Sequence, residues 1–165
     1  MAKDKYPVTP AIRQLREHQI SFEQYLFAYE THGGAEQAAS ELNVPLNQVI
    51  KTIVFTGDDK KGLIVLMHGD KEISTKNLAR QIGMKHIEPA SATQAHKWTG
   101  YQFGGTSPFG IRTVLPIYVE KTIYDLPFFW INGGKQGFQV RLVPEDLAIL
   151  SPTIVEVALA HENQK

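Results

Sequence analysis

The run Val49-Ile50-Lys51-Thr52-Ile53-Val54-Phe55 decides how this chain is read. At the two-residue period of a strand, Val49, Lys51, Ile53 and Phe55 share one face, and Ile50, Thr52 and Val54 share the other. Both faces are largely apolar, which describes a strand covered on both sides, yet one of them carries a lysine. An ammonium group on such a strand must reach a polar cavity, find a partner or lose its charge, because unpaired burial is costly. A strand at a sheet edge offers another solution, in which the lysine stem lies along apolar surface and the charge reaches water.

Outward from this strand, the pattern is one of short elements separated by clear turn signals. Thr9-Pro10 caps and opens a helix running to about Gln19, with proline at its first position. Residues 20–29, with Ile20, Phe22, Tyr25, Phe27 and Tyr29, read as a strand. Gly33-Gly34 breaks the chain before a helix from Ala35 to about Leu42. After the lysine strand, the six residues Gly57–Gly62 turn the chain into a second strand, Leu63–Met67. Ser74 caps a helix that Gly83 closes, and Ser91 with Gln94 has capping-box spacing before a helix ending near Thr99-Gly100. Tyr101–Phe103, Thr113–Val119, Phe128–Ile131 and Phe138–Leu142 read as strands. Pro144-Glu145-Asp146 opens a short helix with acidic residues in its first turn, where the helix dipole favours them.

No repeat, low-complexity run or linker divides the 165 residues, so residues 1–165 read as one mixed α/β domain with its core at about 9–150. With 42% hydrophobic and 21% charged residues the composition is that of a soluble globular protein. No apolar run approaches the roughly 18–20 residues that span a bilayer, and Met1-Ala2-Lys3-Asp4-Lys5 lacks the apolar stretch of a signal peptide. The expectation is no membrane partner and a cytoplasmic location. The absence of cysteine excludes disulfides, a thiol nucleophile and Cys-type zinc sites. Lysine plus arginine and aspartate plus glutamate both number 17. A protein that grips nucleic acid along its length usually shows a basic excess, so any such contact is local or shared with a partner.

Two glycine-rich segments stand out as candidate ligand loops. One is Thr99-Gly100-Tyr101-Gln102-Phe103-Gly104-Gly105-Thr106-Ser107-Pro108-Phe109-Gly110, and the other is Asn132-Gly133-Gly134-Lys135-Gln136-Gly137 between two strands. Glycine lets a backbone take positive φ and approach a ligand closely, and successive N–H groups can then hold an anion or a developing oxyanion. The second segment is equally an ordinary hairpin loop. Neither is a nucleotide fingerprint, and Ser107 lies in no nucleophile elbow. The six histidines form no H-x-x-x-H pair, and no metal or cofactor is expected. Lys76 and Arg80, one helical turn apart, and Lys85 nearby form the best local basic patch for a phosphate backbone, although such a group is usually a solvated face.

Val49-Ile50-Lys51-Thr52-Ile53-Val54, then Thr99-Gly100-Tyr101 with Gly104-Gly105-Thr106-Ser107-Pro108-Phe109-Gly110, then Asn132-Gly133-Gly134-Lys135-Gln136-Gly137 occur in the order seen in the YbaK/EbsC family, which this chain resembles from about Thr9 to about Ile149. That family includes free-standing relatives of the editing domain of bacterial prolyl-tRNA synthetases. The resemblance implies a mixed sheet curled toward a barrel, with helices around it, and a trans-editing hydrolase that deacylates mischarged aminoacyl-tRNA, of the Cys-tRNA(Pro) type or with a related small amino acid. Prolyl-tRNA synthetase is then a candidate partner. It implies Lys51 as the catalytic residue. It draws the substrate pocket from Thr52, from Thr99, Gly100, Tyr101, Gly104, Gly105, Thr106, Ser107, Pro108 and Gly110, and from Gly133, Gly134 and Lys135. The chain departs from the family in its shorter Tyr25–Gly34 segment, in Gln136 where an arginine is common, and in Ile111-Arg112 after the first loop. Two other readings stand beside this one: a non-catalytic module that binds aminoacyl-tRNA or a nucleotide for a synthetase, and a hydrolase of small esters.

Overall fold

A computed structural model describes residues 6–160. The start read above for a leader, and His161, lie outside them. The elements are α1 (Pro10–Glu17), β1 (Glu23–Leu26), α2 (Gly34–Leu42), β2 (Val49–Gly57), β3 (Gly62–His68), β4 (Lys71–Ile73), α3 (Thr75–Ile82), β5 (Ile87–Pro89), α4 (Ala92–Thr99), β6 (Ile117–Glu120), β7 (Phe129–Asn132), β8 (Phe138–Leu142), β9 (Thr153–Val155) and β10 (Ala158–Ala160). Short 3-10 helices occupy Leu46–Gln48, Lys121–Asp125 and Pro144–Leu150. The helix starts follow the sequence signals. Thr9, Ser74 and Ser91 each accept a backbone N–H from three residues ahead, at 3.1 Å in every case. Gly83 and Gly100 end α3 and α4 with φ of 78° and 82°, a conformation glycine adopts without a Cβ penalty.

Eight strands form one mixed sheet in the order β1-β8-β7-β2-β3-β6-β9, with β5 also pairing β2, while β4 and β10 make a separate two-stranded sheet. The β2/β7, β3/β6 and β6/β9 pairs are parallel and the others antiparallel. Among the described residues the order runs from β1 to β9 without those two strands pairing, so the sheet curves but is not a closed barrel.

The lysine strand is covered on both sides, as its pattern requires. Ile50 and Val54 join the main core with Ile64, Leu66, Phe129 and Val140, over which α1 lays Ile12 and Leu15. On the opposite face, Phe55 packs with Val65, Met67 and α3 residues Leu78 and Ala79, and Val49 packs with Ala38 and Ala39 of α2. Lys51, between Val49 and Phe55 on this face, belongs to neither of those two smaller clusters.

Several elements are shorter than their sequence patterns. The strand expected over 20–29 is confined to β1, because β8 pairs it only from Glu23↔Arg141 to Leu26↔Phe138. The strand expected over 113–119 begins at Ile117, where β3 supplies a partner. Tyr101–Phe103 is not a strand: the Tyr101 N–H is taken by Thr99 Oγ1 at 3.1 Å and its hydroxyl donates to the Phe109 carbonyl at 2.6 Å. The β2–β3 connection is shorter than six residues, because both strands extend into the flanking glycines and pair Thr56 with Gly62. Beyond residue 150, β9 joins the sheet, and Val155 and Val157 are buried.

Candidate functional site

The site begins with an interruption in strand pairing. One edge of β2 bonds to β3 from Ile50↔His68 to Thr56↔Gly62. The other edge is shared by two strands that do not meet: β7 pairs only with Val49 and Ile50, and β5 only with Phe55, Thr56 and Gly57. Lys51, Thr52, Ile53 and Val54 have no strand beside them on that edge. The Ile64 N–H donates outward to Pro116 at 3.0 Å, so antiparallel alternation turns the main-chain groups of Val54 and Thr52 away from β3 and toward this gap. The Val54 carbonyl accepts from Ala90 N–H at 3.0 Å, which closes one end.

A cavity of about 410 Å³ opens against this interval, within the roughly 300–1,000 Å³ range of small-molecule sites. Phe103, Gly104 and Thr106 of the first glycine loop form one wall. Asn132, Gly137 and Gln139 of the β7–β8 hairpin form the next. Phe27 and Tyr29, with Ala35 and Gln37 of α2, face them, and Ala90, Ala92 and Ala95 complete the rim. Among the described residues, Lys51 is the one charged residue in the lining. Thr52 Oγ1 and Gln139 Oε1, both on lining residues, are buried with no hydrogen-bond partner among the described residues. An unpaired buried polar group costs about 1–3 kcal/mol, so these atoms are hydrogen-bonding capacity that a ligand can satisfy.

Lys51 borders the cavity with its side chain half-buried. Its Nζ donates to the Lys71 carbonyl at 2.7 Å, at the start of β4. Burial lowers its pKa below the ordinary lysine value of 10.5, and the Glu72 and Asp70 carboxylates act in the opposite direction. Asp70 Oδ1 is itself buried without a partner among the described residues. An ammonium has three donors, and one is committed to Lys71.

Of the residues named from sequence, Lys51, Thr52, Gly104 and Thr106 meet on this cavity. Others build the frame behind it. Thr99 Oγ1 donates to Ala95 at 2.8 Å, and burial raises the Tyr101 phenol pKa while its hydroxyl anchors Phe109. Ser107 is fully buried with its Oγ accepting the Phe109 N–H at 3.1 Å, and Pro108 is buried beside it. Gly100 caps α4, and Gly110 donates to Gln14 Oε1 at 2.7 Å. Gly105 backs onto Lys135 and Gln136, which locks the two glycine loops together. The Gly133 carbonyl accepts from Thr9 Oγ1 at 2.5 Å, and Asn132 Oδ1 receives the amides of Gly134 and Lys135 at 2.6 and 3.1 Å. Lys76, Arg80 and Lys85 are exposed on or just after α3, outside the cavity lining.

Sequence reasoning named Asn132 only as part of the second glycine loop, and missed Tyr29, Gln139 and the acidic pair Asp70 and Glu72. Gln139 carried a usable signal: it lies between Phe138 and Val140 in a core strand and is only 7% exposed, an unusual place for an amide. Among the described residues no cluster of three or more His, Asp or Glu side chains could hold a metal. No described helix is long and apolar enough to cross a membrane.

An open mixed sheet with a pocket at a break in strand pairing, flanked by one lysine and two interlocked glycine loops, defines a mixed α/β domain with a ligand-sized cavity. Residues 30–150 match the aminoacyl-tRNA editing domain, and the chain belongs to that family. It is 33% identical over 155 residues to EbsC of Enterococcus faecalis, a candidate Cys-tRNA(Pro)/Cys-tRNA(Cys) deacylase, covering 93% of each chain. It is 26% identical to part of the proline–tRNA ligase of Lactobacillus helveticus, over 78% of this chain and 23% of the ligase. Among solved structures, a candidate trans-editing enzyme for prolyl tRNA synthetase superposes with a TM-score of 0.80 at 22% identity, over 92% of this chain and 96% of the other. That likeness carries the fold, and the family is the one the three motifs resemble.

Proposed function

We propose that this protein hydrolyses the ester of mischarged aminoacyl-tRNA, releasing a small amino acid of the cysteine type or size from its tRNA. The observation that carries the reading is the convergence of Lys51, Thr52, Gly104 and Thr106 on one cavity that lacks acidic lining residues. An aminoacyl ester is already activated, so positioning and oxyanion stabilisation supply much of the acceleration. Lys51, seated by Lys71 and flanked by Asp70 and Glu72, presents its remaining N–H donors to the ester or the terminal ribose. The amides of Gly105, Phe109 and Gly110 already donate within the protein. Among the lining residues of this loop, the amides of Gly104 and Thr106 are the candidate donors to the carbonyl oxygen. A bound water, or a nucleophile on the substrate itself, adds to the acyl carbon. The acyl–oxygen bond to the ribose then breaks and the ribose oxygen takes a proton.

Single-turnover deacylation across a panel of mischarged tRNAs tests this, using wild type and Lys51→Ala with folding checked by thermal melting. The expected result is rapid release from one small-amino-acid tRNA by wild type and loss of that rate in the variant. Full activity in Lys51→Ala refutes the role given to the lysine. No activity of wild type on any member refutes the deacylase reading and favours a binding module, for which the engaged Lys51 Nζ would be a purely structural bond.

A further inference from the structure

Phe103 is 73% exposed on a loop that is otherwise pinned. A single exposed aromatic ordinarily needs no explanation, but this one belongs to the lining of the same cavity as Lys51. Its backbone is held from three sides. Gln136 Nε2 donates to the Phe103 carbonyl at 2.8 Å, Asn132 Nδ2 donates to the Gly104 carbonyl at 3.2 Å, and the Gly105 N–H closes a turn onto Gln102 at 2.8 Å. Tyr29 bounds the same stretch of rim, with its hydroxyl against Gly104. The ring is thus an exposed apolar surface carried at the rim of the pocket by a pinned backbone, so a ligand laid on it loses little to ordering of the loop.

Charge indicates what that ligand is. A tRNA is ordinarily held largely through phosphate contacts made by cationic side chains, whereas this chain has no net charge and, among the described residues, its cavity lining holds one charged side chain, Lys51, with one donor already bonded to Lys71. A contact that needs no charge then adds to what that lysine supplies. Stacking of a nucleobase on an aromatic side chain is such a contact and is worth about 1–3 kcal/mol per base. With the acyl group and ribose inside the cavity, the base attached to that ribose lies at its mouth. Resting on the deacylase reading above, we infer that Phe103 is the stacking platform for the 3′-terminal adenine of the tRNA.

The test is direct binding, which is independent of catalysis. Two short acceptor-stem RNA hairpins are compared by fluorescence anisotropy at fixed salt, one ending in CCA and the other with its terminal base removed. Wild type should bind the CCA hairpin more tightly than the abasic one. Phe103→Ala should weaken binding of the CCA hairpin by about 5- to 150-fold, the range equivalent to one stacked base, with little change for the abasic hairpin. Phe103→Trp should restore the preference. Equal losses on both hairpins, or no loss on either, overturn the inference. A protein that deacylates nothing yet shows this pattern keeps the stacking site and loses only the hydrolytic reading.

Discussion

Gly105 is where the two glycine loops touch, and replacing it by alanine measures how tightly the pocket wall is fixed. A Cβ at this position would lie 2.8 Å from the Gln136 nitrogen and 2.9 Å from the Lys135 carbonyl carbon. Both neighbours are main-chain atoms, so no change of rotamer relieves the clash. Moving from 2.8 Å to the 3.4 Å of ordinary contact requires the loops to part by about 0.6 Å. Gly105 is not among the glycines with positive φ, so the backbone conformation itself does not forbid alanine and the effect is one of packing. Overpacking of this kind costs about 1–3 kcal/mol. Parting the loops also moves Gly104 and Thr106 relative to Asn132 across the cavity and strains the Gln136 bond to Phe103. A misplacement of about 1 Å can cost on the order of 10²-fold in rate, so a half-ångström opening should cost roughly tenfold. Urea unfolding and single-turnover deacylation of Gly105→Ala give the two numbers. A variant with wild-type unfolding midpoint and wild-type rate would show that the loops are not locked at Gly105, and the account of the wall would fail.

Burial lowers the Lys51 pKa, so between that lowered value and 10.5 the folded state binds fewer protons than the unfolded one, and this residue's contribution to stability rises with pH through that window. If the ammonium positions substrate, the deacylation rate, corrected for spontaneous ester hydrolysis, should fall as pH rises through the lowered value; Lys51→Arg should remove that alkaline limb, and an unchanged limb in the variant would contradict the role. Glu120 is 2% exposed, and its carboxylate accepts the amides of Val157, Ala158 and Thr122 at 2.8, 3.0 and 3.2 Å. Glu120→Leu strands those donors and should cost at least about 3 kcal/mol in urea unfolding, with Glu120→Gln milder because it keeps one acceptor; a leucine variant within about 1 kcal/mol of wild type would contradict this. Because β10 pairs with β4, which supplies the Lys71 carbonyl, these variants should also loosen the seat of Lys51.

Local chemistry was sufficient for the sequence to place the helices and the central strands. Thr9, Ser74 and Ser91 cap because a hydroxyl three residues before an N–H can accept it, and Gly83 and Gly100 terminate because they alone take positive φ freely. The alternation of Val49–Phe55 required cover on both faces, since each face is apolar, and the structure supplies it from different helices. The same logic marked Lys51 as needing a polar destination. Pairing between distant strands decided the rest. β1 and β6 are short because only part of each finds a partner, and partner registry is not written in the strand's own periodicity. The cavity exists because β7 leaves β2 after Ile50 and β5 joins only at Phe55. That gap depends on residues some 80 positions apart in the chain, so the sequence could name glycine-rich loops but not which residues face inward. Tertiary packing turned Gly104 and Thr106 to the cavity, buried Ser107 in a turn, and gave the Lys51 ammonium to Lys71. Backbone carbonyls carry no residue identity, so no inspection of side chains could have found that partner.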